Sequence, residues 1–194
     1  GRDAEAFAQF LTPRDITKCS VGQAMYTPLT DFEGKLINDP VMLRIAEDCY
    51  WFSVSDGDLI LWAQAIAAGY KFDVDVDEPD VSPLQVQGPN STKLMIKVFG
   101  DWINDITFYK FKEIEYQGIP LVIARMGYSK ELCYELFLRD HSKGDELWEI
   151  LWQAGQEFNI SPGSPNIILR LEGGILSYLA DIDRTNNPYE VGLD

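Results

Sequence analysis

Two apolar runs, Ile106 to Tyr116 and Ile119 to Met126, are separated only by Gln117-Gly118. So short a connection reads as a tight hairpin, which fixes the two runs as antiparallel neighbours. A third run, Leu132 to Leu138, follows at once. Near the start, Gln23 to Thr30 and Lys35 to Ile45 flank Asp31-Phe32-Glu33-Gly34 and read as a second hairpin, with Tyr50 to Ser55 as a further strand. Hairpins dominate the β part, so the expected class is α+β with antiparallel sheets rather than a doubly wound parallel sheet.

The helices fall between these strands. Residues 3–11 have a helical apolar face and stop at Thr12-Pro13. A second helix runs from Asp56 to Gly69, with Ser55 and Asp58 spaced as a capping box. Phe72 to Val76 alternates with aspartates, as an exposed strand would. Asp77-Glu78-Pro79-Asp80 is the candidate boundary, giving subdomains 1–78 and 79–194. Beyond it, Ser82 to Gln87 is a strand, a helix runs through Phe99, and Ser142 to Phe158 is an amphipathic helix. The last predicted helix, Asn166 to Tyr178, holds Gly173-Gly174 in its middle. Each glycine costs about 1 kcal/mol there, which suggests close approach by another backbone or a ligand.

Several function classes drop out. Net charge is −15, which argues against nucleic acid and anionic membrane surfaces as partners, and which also serves solubility. Cys19, Cys49 and Cys133 are too scattered for a disulfide or metal framework and suit reduced thiols in the cytoplasm. His141 is the only histidine, so neither a Ser-His-Asp triad nor a multi-histidine metal site is expected. No apolar run is long enough to span a membrane. The abrupt end at PYEVGLD reads as a fragment of a longer chain.

Two carboxylates stand out. Glu135 lies inside CYELFL, and a bare charge among such neighbours costs several kcal/mol unless it is paired. Arg125 and Arg139 flank that strand and could form an ordinary ion pair with it. The alternative is a ligand with two parallel N–H donors, as on the amino-amidine edge of a pterin or purine. Asp39, in LINDPVML, precedes a proline that cannot donate to a ladder, so its strand is interrupted or at an edge. It either satisfies local backbone N–H groups or faces a cleft. Pairing about the Phe32-Glu33 turn brings Tyr26 close to it. A tyrosine ring beside a carboxylate suits a flat nitrogen heterocycle, although aromatic residues on strands also serve as core.

The segments GRDAEAFAQFLTPRD, GQAMYTPLTDFEGKLINDP, SPLQVQGPNS, GYSKELCYELF and LRLEGGILSYLADIDRTNNPYEVGL, in that order, resemble the folate-dependent aminomethyltransferases, the T-protein of the glycine cleavage system and its relatives. PRD at 13–15, INDPV at 37–41, EPDVSPLQVQGP at 78–89, FNISPGSPN at 158–166 and EGGILSY at 172–178 look like the branch that demethylates dimethylsulfoniopropionate.

The resemblance implies the T-protein fold, lacking here its N-terminal segment and its C-terminal β-barrel domain. It implies tetrahydrofolate as co-substrate, a small-molecule methyl donor, no metal, and transfer of an S-methyl group to give methylmercaptopropionate and 5-methyltetrahydrofolate. Carried onto this sequence, the folate-binding residues are Tyr26, Asp39, Ser55, Tyr128 and Glu135, with Asp39 and Tyr26 acting at the reacting ring. Trp51, Trp148 and Tyr178 are candidate aromatic faces for a cationic sulfonium. Four departures stand in the sequence: Asn38 for the first of an Asp-Asp pair, Ser55 for an asparagine, Asn166 for an arginine, and Leu132-Cys133 for an Asp-Gly. An aminomethyl or N-methyl transferase, an aromatic O-demethylase and a non-catalytic folate-binding module remain open alternatives, as does a homodimer.

Overall fold

The computed structural model describes residues 1–54, 57, 59–164 and 167–193. The proposed Ser55/Asp58 capping box and the candidate residue Ser55 lie outside the described residues. The chain divides into two compact units, Gly1–Glu78 with Leu176–Asp194, and Pro79–Ile175.

The first unit opens with helix α1, Ala4–Leu11, which buries Phe7, Ala8 and Leu11. Strands β1, Gln23–Tyr26; β2, Leu29–Thr30; β3, Leu36–Asn38; β4, Val41–Ala46; and β5, Cys49–Ser53 follow, and then helix α2, Leu59–Tyr70. The expected long hairpin is present as two successive ladders. Near the turn β2 pairs with β3, and farther from it β1 pairs with β4, both antiparallel. The interruption has a covalent cause: Pro28 stands on one side and Pro40 on the other, and neither has an N–H to give. Thr27 bridges the gap by donating both its N–H (2.9 Å) and its hydroxyl (3.1 Å) to the Pro40 carbonyl. At the tip, Asp31 Oδ1 accepts from the N–H groups of Glu33 (3.0 Å) and Lys35 (2.9 Å). The β1-β4-β5 sheet is completed by pairing of β4 with β5.

Phe72 to Val76 joins no ladder. Its alternation has another origin: Phe72, Val74 and Val76 pack with Phe7, Leu11, Leu29, Ala63, Ile66 and Ala67. The second subdomain also ends earlier than the sequence reading had it. From Leu176 on, the chain belongs to the first unit. It is tied there by Leu36 N–H to Asn186 O (2.9 Å), Lys35 Nζ to Thr185 O (2.7 Å) and Tyr178 Oη to Leu36 O (3.3 Å).

The second unit is built on β6, Ser82–Gln87; helix α3, Ser91–Phe99; β7, Phe111–Tyr116; β8, Ile119–Ala124; β9, Cys133–Leu138; and helices α4, Gly144–Gly155, and α5, Ile167–Glu172. The sheet order is β6-β9-β8-β7, and every neighbouring pair is antiparallel. Gln117 (φ 51°) and Gly118 (φ 80°) both take positive φ, the mark of a type I′ hairpin turn. Alternation then sorts the residues of β9. Tyr134, Leu136 and Leu138 point into a core with Ile119, Leu121 and Ile123, closed by Leu94, Met95 and Phe99 of α3 and by Leu147 and Leu151 of α4. Cys133, Glu135 and Phe137 therefore occupy the other face.

The last predicted helix is shorter than its pattern. Helix α5 stops at Glu172, and Gly173-Gly174 ends it rather than sitting inside it. Ile175 N–H reaches Arg170 O (3.0 Å) and Gly174 N–H reaches Leu171 O (3.0 Å), the two bonds of a Schellman cap. Gly174 has φ +67° with open space where a Cβ would stand, so it is needed for its conformation and not for close approach.

Candidate functional site

In the first unit, the facing breaks in the hairpin place Tyr26 and Asp39 in contact. Tyr26 donates its hydroxyl to Asp39 Oδ2 at 2.9 Å. Both side chains are half-buried. Burial pushes the Asp39 carboxyl above the ordinary aspartate range, the Tyr26 hydrogen bond and its own backbone N–H pull the other way, and the charge of Asp181 pushes it up further. Asp181 is a residue that sequence reasoning missed; it sits in a polar turn, and its proximity follows only from the return of the C-terminal segment. Tyr178 is half-buried, and its hydroxyl is pushed above the usual tyrosine range by burial first, with Asp39 among the smaller charge contributions. By register, Trp51 shares the face of the β1-β4-β5 sheet that carries Tyr26: Tyr26 stands across from Val41 and Ser53, and Ala24 from Leu43 and Trp51.

In the second unit, Glu135 occupies a central strand, opposite Gln85 on β6 and Ala124 on β8. The two candidate arginines do not pair with it among the described residues. Arg139 pairs with Glu113 at 2.6 Å, and Arg125 forms no ion pair among the described residues. The Glu135 carboxylate accepts no hydrogen bond and joins no ion pair among the described residues. Burial alone raises its pKa to about 7. An ionised carboxylate offers acceptors and no donor, so this group suits a ligand edge with paired N–H groups.

Tyr128 lies in the loop that leads into β9. The Arg170 guanidinium of α5 stands 6.0 Å from its ring centroid, within cation–π range. Arg170 is itself buried and donates to Ile175 O at 3.0 Å, so the capped end of α5 steadies the cation over the ring. Trp148 lies apart from Glu135. It stands on the exposed side of α4, stacked parallel to Trp152 at 6.4 Å, and α4 covers the sheet face opposite the one that carries Glu135. Among the described residues there is no group of histidine, cysteine, aspartate or glutamate side chains that could hold a metal ion, and no helix is long and apolar enough to cross a membrane.

Residues 1–194 match the family of GCVT N-terminal domains. The chain is 44% identical over 193 residues to the dimethylsulfoniopropionate demethylase of Ruegeria pomeroyi, covering 100% of this chain and 53% of that protein. It is 33% identical over 201 residues to the aminomethyltransferase of Chlorobium limicola, covering 100% of this chain and 55% of that protein. The chain thus spans about half the length of the relatives it matches. Its fold matches the crystal structure of glycine cleavage system aminomethyltransferase T from Bartonella henselae with a TM-score of 0.74 at 22% identity, over 96% of this chain and 50% of that one. That likeness bears on fold alone.

Proposed function

The chain belongs to the family of GCVT N-terminal domains, and from that premise we propose that the full-length protein is a tetrahydrofolate-dependent methyltransferase that demethylates dimethylsulfoniopropionate. The observation that carries this reading is the half-buried Glu135 carboxylate, without a protein partner among the described residues, in the strand where the family resemblance puts the pterin anchor. The identity to a named demethylase over the whole of this chain supports the choice of donor.

In this reading Glu135 accepts two N–H bonds from the pterin edge, and Tyr128 borders the same ligand. Asp39, with the Tyr26 hydroxyl on it, orients the reduced ring and controls protonation at N5. Tetrahydrofolate supplies the nucleophilic nitrogen. A sulfonium already leaves readily: the S–CH3 bond breaks, its electron pair stays on sulfur as a neutral thioether, the methyl group bonds to the N5 lone pair, and N5 then releases its proton to solvent. The protein's task is then alignment, holding nitrogen and methyl carbon about 3 Å apart and in line. Trp51 and Tyr178 are the candidate faces for the sulfonium cation.

The test is incubation of the full-length protein with dimethylsulfoniopropionate and tetrahydrofolate, with detection of 5-methyltetrahydrofolate and methylmercaptopropionate. No product, together with transfer from an aminomethyl or O-methyl donor, would move the assignment to a sister enzyme. Tetrahydrofolate binding followed by fluorescence should weaken in Glu135→Ala; unchanged affinity would remove the anchor role.

A further inference from the structure

Gln85 and Glu135 are paired directly across the β6–β9 ladder. Their side chains therefore leave the same face with Cβ atoms about 5 Å apart. An amide N–H so placed is the obvious donor for an unpaired carboxylate, since hydrogen bonds to ionised acceptors are the stronger kind. The structure does something else with it. Gln85 Nε2 donates to Cys133 Sγ at 2.9 Å, and Glu135 receives nothing among the described residues.

The seat for that amide is built by a glycine. A Cβ on Gly127 would collide with Cys133 Sγ and Cβ and would stand 2.9 Å from Gln85 Nε2. Gly127, Cys133 and Gln85 thus close on one another only because residue 127 has no side chain. Sulfur is a weak acceptor, so it is the fit over Gly127, more than the strength of the bond, that keeps the amide turned away. Cys133 is buried and its thiol is pushed up to about 12, which leaves it neutral at physiological pH. Around Glu135 on this face the register also sets Ala124 and Val122 of β8, Pro83 and Gln87 of β6 and Phe137 of its own strand, and none carries a charge.

We propose that Cys133 is a positioning residue, which holds the Gln85 amide off Glu135 and so keeps that carboxylate open to an N–H-bearing ligand. Its consequence for folate rests on the reading of Glu135 as the pterin anchor; the positioning itself does not.

The experiment uses the full-length protein and four forms: wild type, Cys133→Ala, Cys133→Ser, and Cys133→Ala with Gln85→Ala. The first readout is the titration of Glu135, followed by the side-chain carboxyl resonance of 13C-glutamate-labelled protein and assigned with Glu135→Gln. In Cys133→Ala the released amide should reach the carboxylate and lower its midpoint by about one pH unit, as a hydrogen bond to the charged form does. Removing Gln85 as well should restore the wild-type midpoint, and Cys133→Ser, which keeps an acceptor, should leave it unmoved. An unmoved midpoint in Cys133→Ala, or a shift that persists in the double variant, would overturn the proposal. The second readout is tetrahydrofolate affinity, expected to fall about tenfold in Cys133→Ala and to recover in the double variant. Titrations that behave as stated while folate affinity ignores all four forms would uphold the positioning and sink the anchor reading instead.

Discussion

Tyr26 donates its hydroxyl to Asp39 at 2.9 Å, across the place where Pro28 and Pro40 part the two ladders of the first hairpin. The bond favours the ionised carboxylate against a burial that disfavours it. Tyr26→Phe removes the favourable side of that balance, so the Asp39 pKa rises further. In the proposed methyl transfer by the full-length protein, the acid limb of the kcat/KM profile should move to higher pH, with a stability loss of about 1 kcal/mol for the lost hydrogen bond. A profile with an unmoved acid limb would separate Asp39 from the proton chemistry.

Glu135 has a folded pKa of about 7 against an ordinary value of 4.5. For a carboxyl whose folded pKa is raised, the native state holds more protons between those values, so stability is greatest below about 4.5 and falls as pH rises through about 7. Glu135→Gln removes that slope. The variant should be more stable than wild type at pH 8 by on the order of 2 kcal/mol after allowance for solvent screening, and equal to it near pH 4. Urea midpoints across that range test this, and a wild-type midpoint that does not decline with pH would contradict it.

Gly127→Ala places a Cβ against Cys133. Overpacking of this kind costs about 1–3 kcal/mol. Since both Cβ and Sγ of Cys133 are in the way, Cys133→Gly should recover most of the loss in the double variant, beyond what the two single changes predict when added. Thermal unfolding of the four forms gives the coupling; strict additivity would mean that the two residues do not touch.

Gly174→Ala forces a side chain into left-handed backbone (φ +67°) and should cost about 1 kcal/mol. Gly173 has no such φ, and a Cβ there meets its own helix carbonyls at 3.3–3.4 Å and Lys130 Cβ at 3.5 Å, so Gly173→Ala should cost less. The reverse order, read from urea midpoints, would favour close packing over helix termination as the role of the pair.

Local chemistry was legible where it was encoded within a few residues. The Gln117-Gly118 turn, the proline break beside Asp39 and the lone carboxylate in the apolar run of β9 each announce themselves in the sequence. The contact of Tyr26 with Asp39 followed from counting outward from the turn. The failures share a different cause. Phe72 to Val76 alternates because it lies along the core of its unit, and periodicity alone does not distinguish that from a strand in a ladder. Gly173-Gly174 looked internal to a helix because the apolar pattern runs past it, while the stop depends on backbone conformation. Whether Glu135 would meet an arginine or stay free was a question of where Arg139 turns, and it turns to Glu113.

The return of the last residues to the first unit has a consequence for the order of assembly. Strand β3, next to Asp39, takes its Leu36 N–H partner from Asn186, so the chain crosses between units twice and the second unit is in effect an insertion. During synthesis at about 5–20 residues per second, the first unit waits on the order of 10 s while the intervening segment is made. The second unit has all of its sequence first. A nascent chain released before Leu176 should therefore hold a protease-resistant second unit beside a first unit whose hairpin still lacks its final strap.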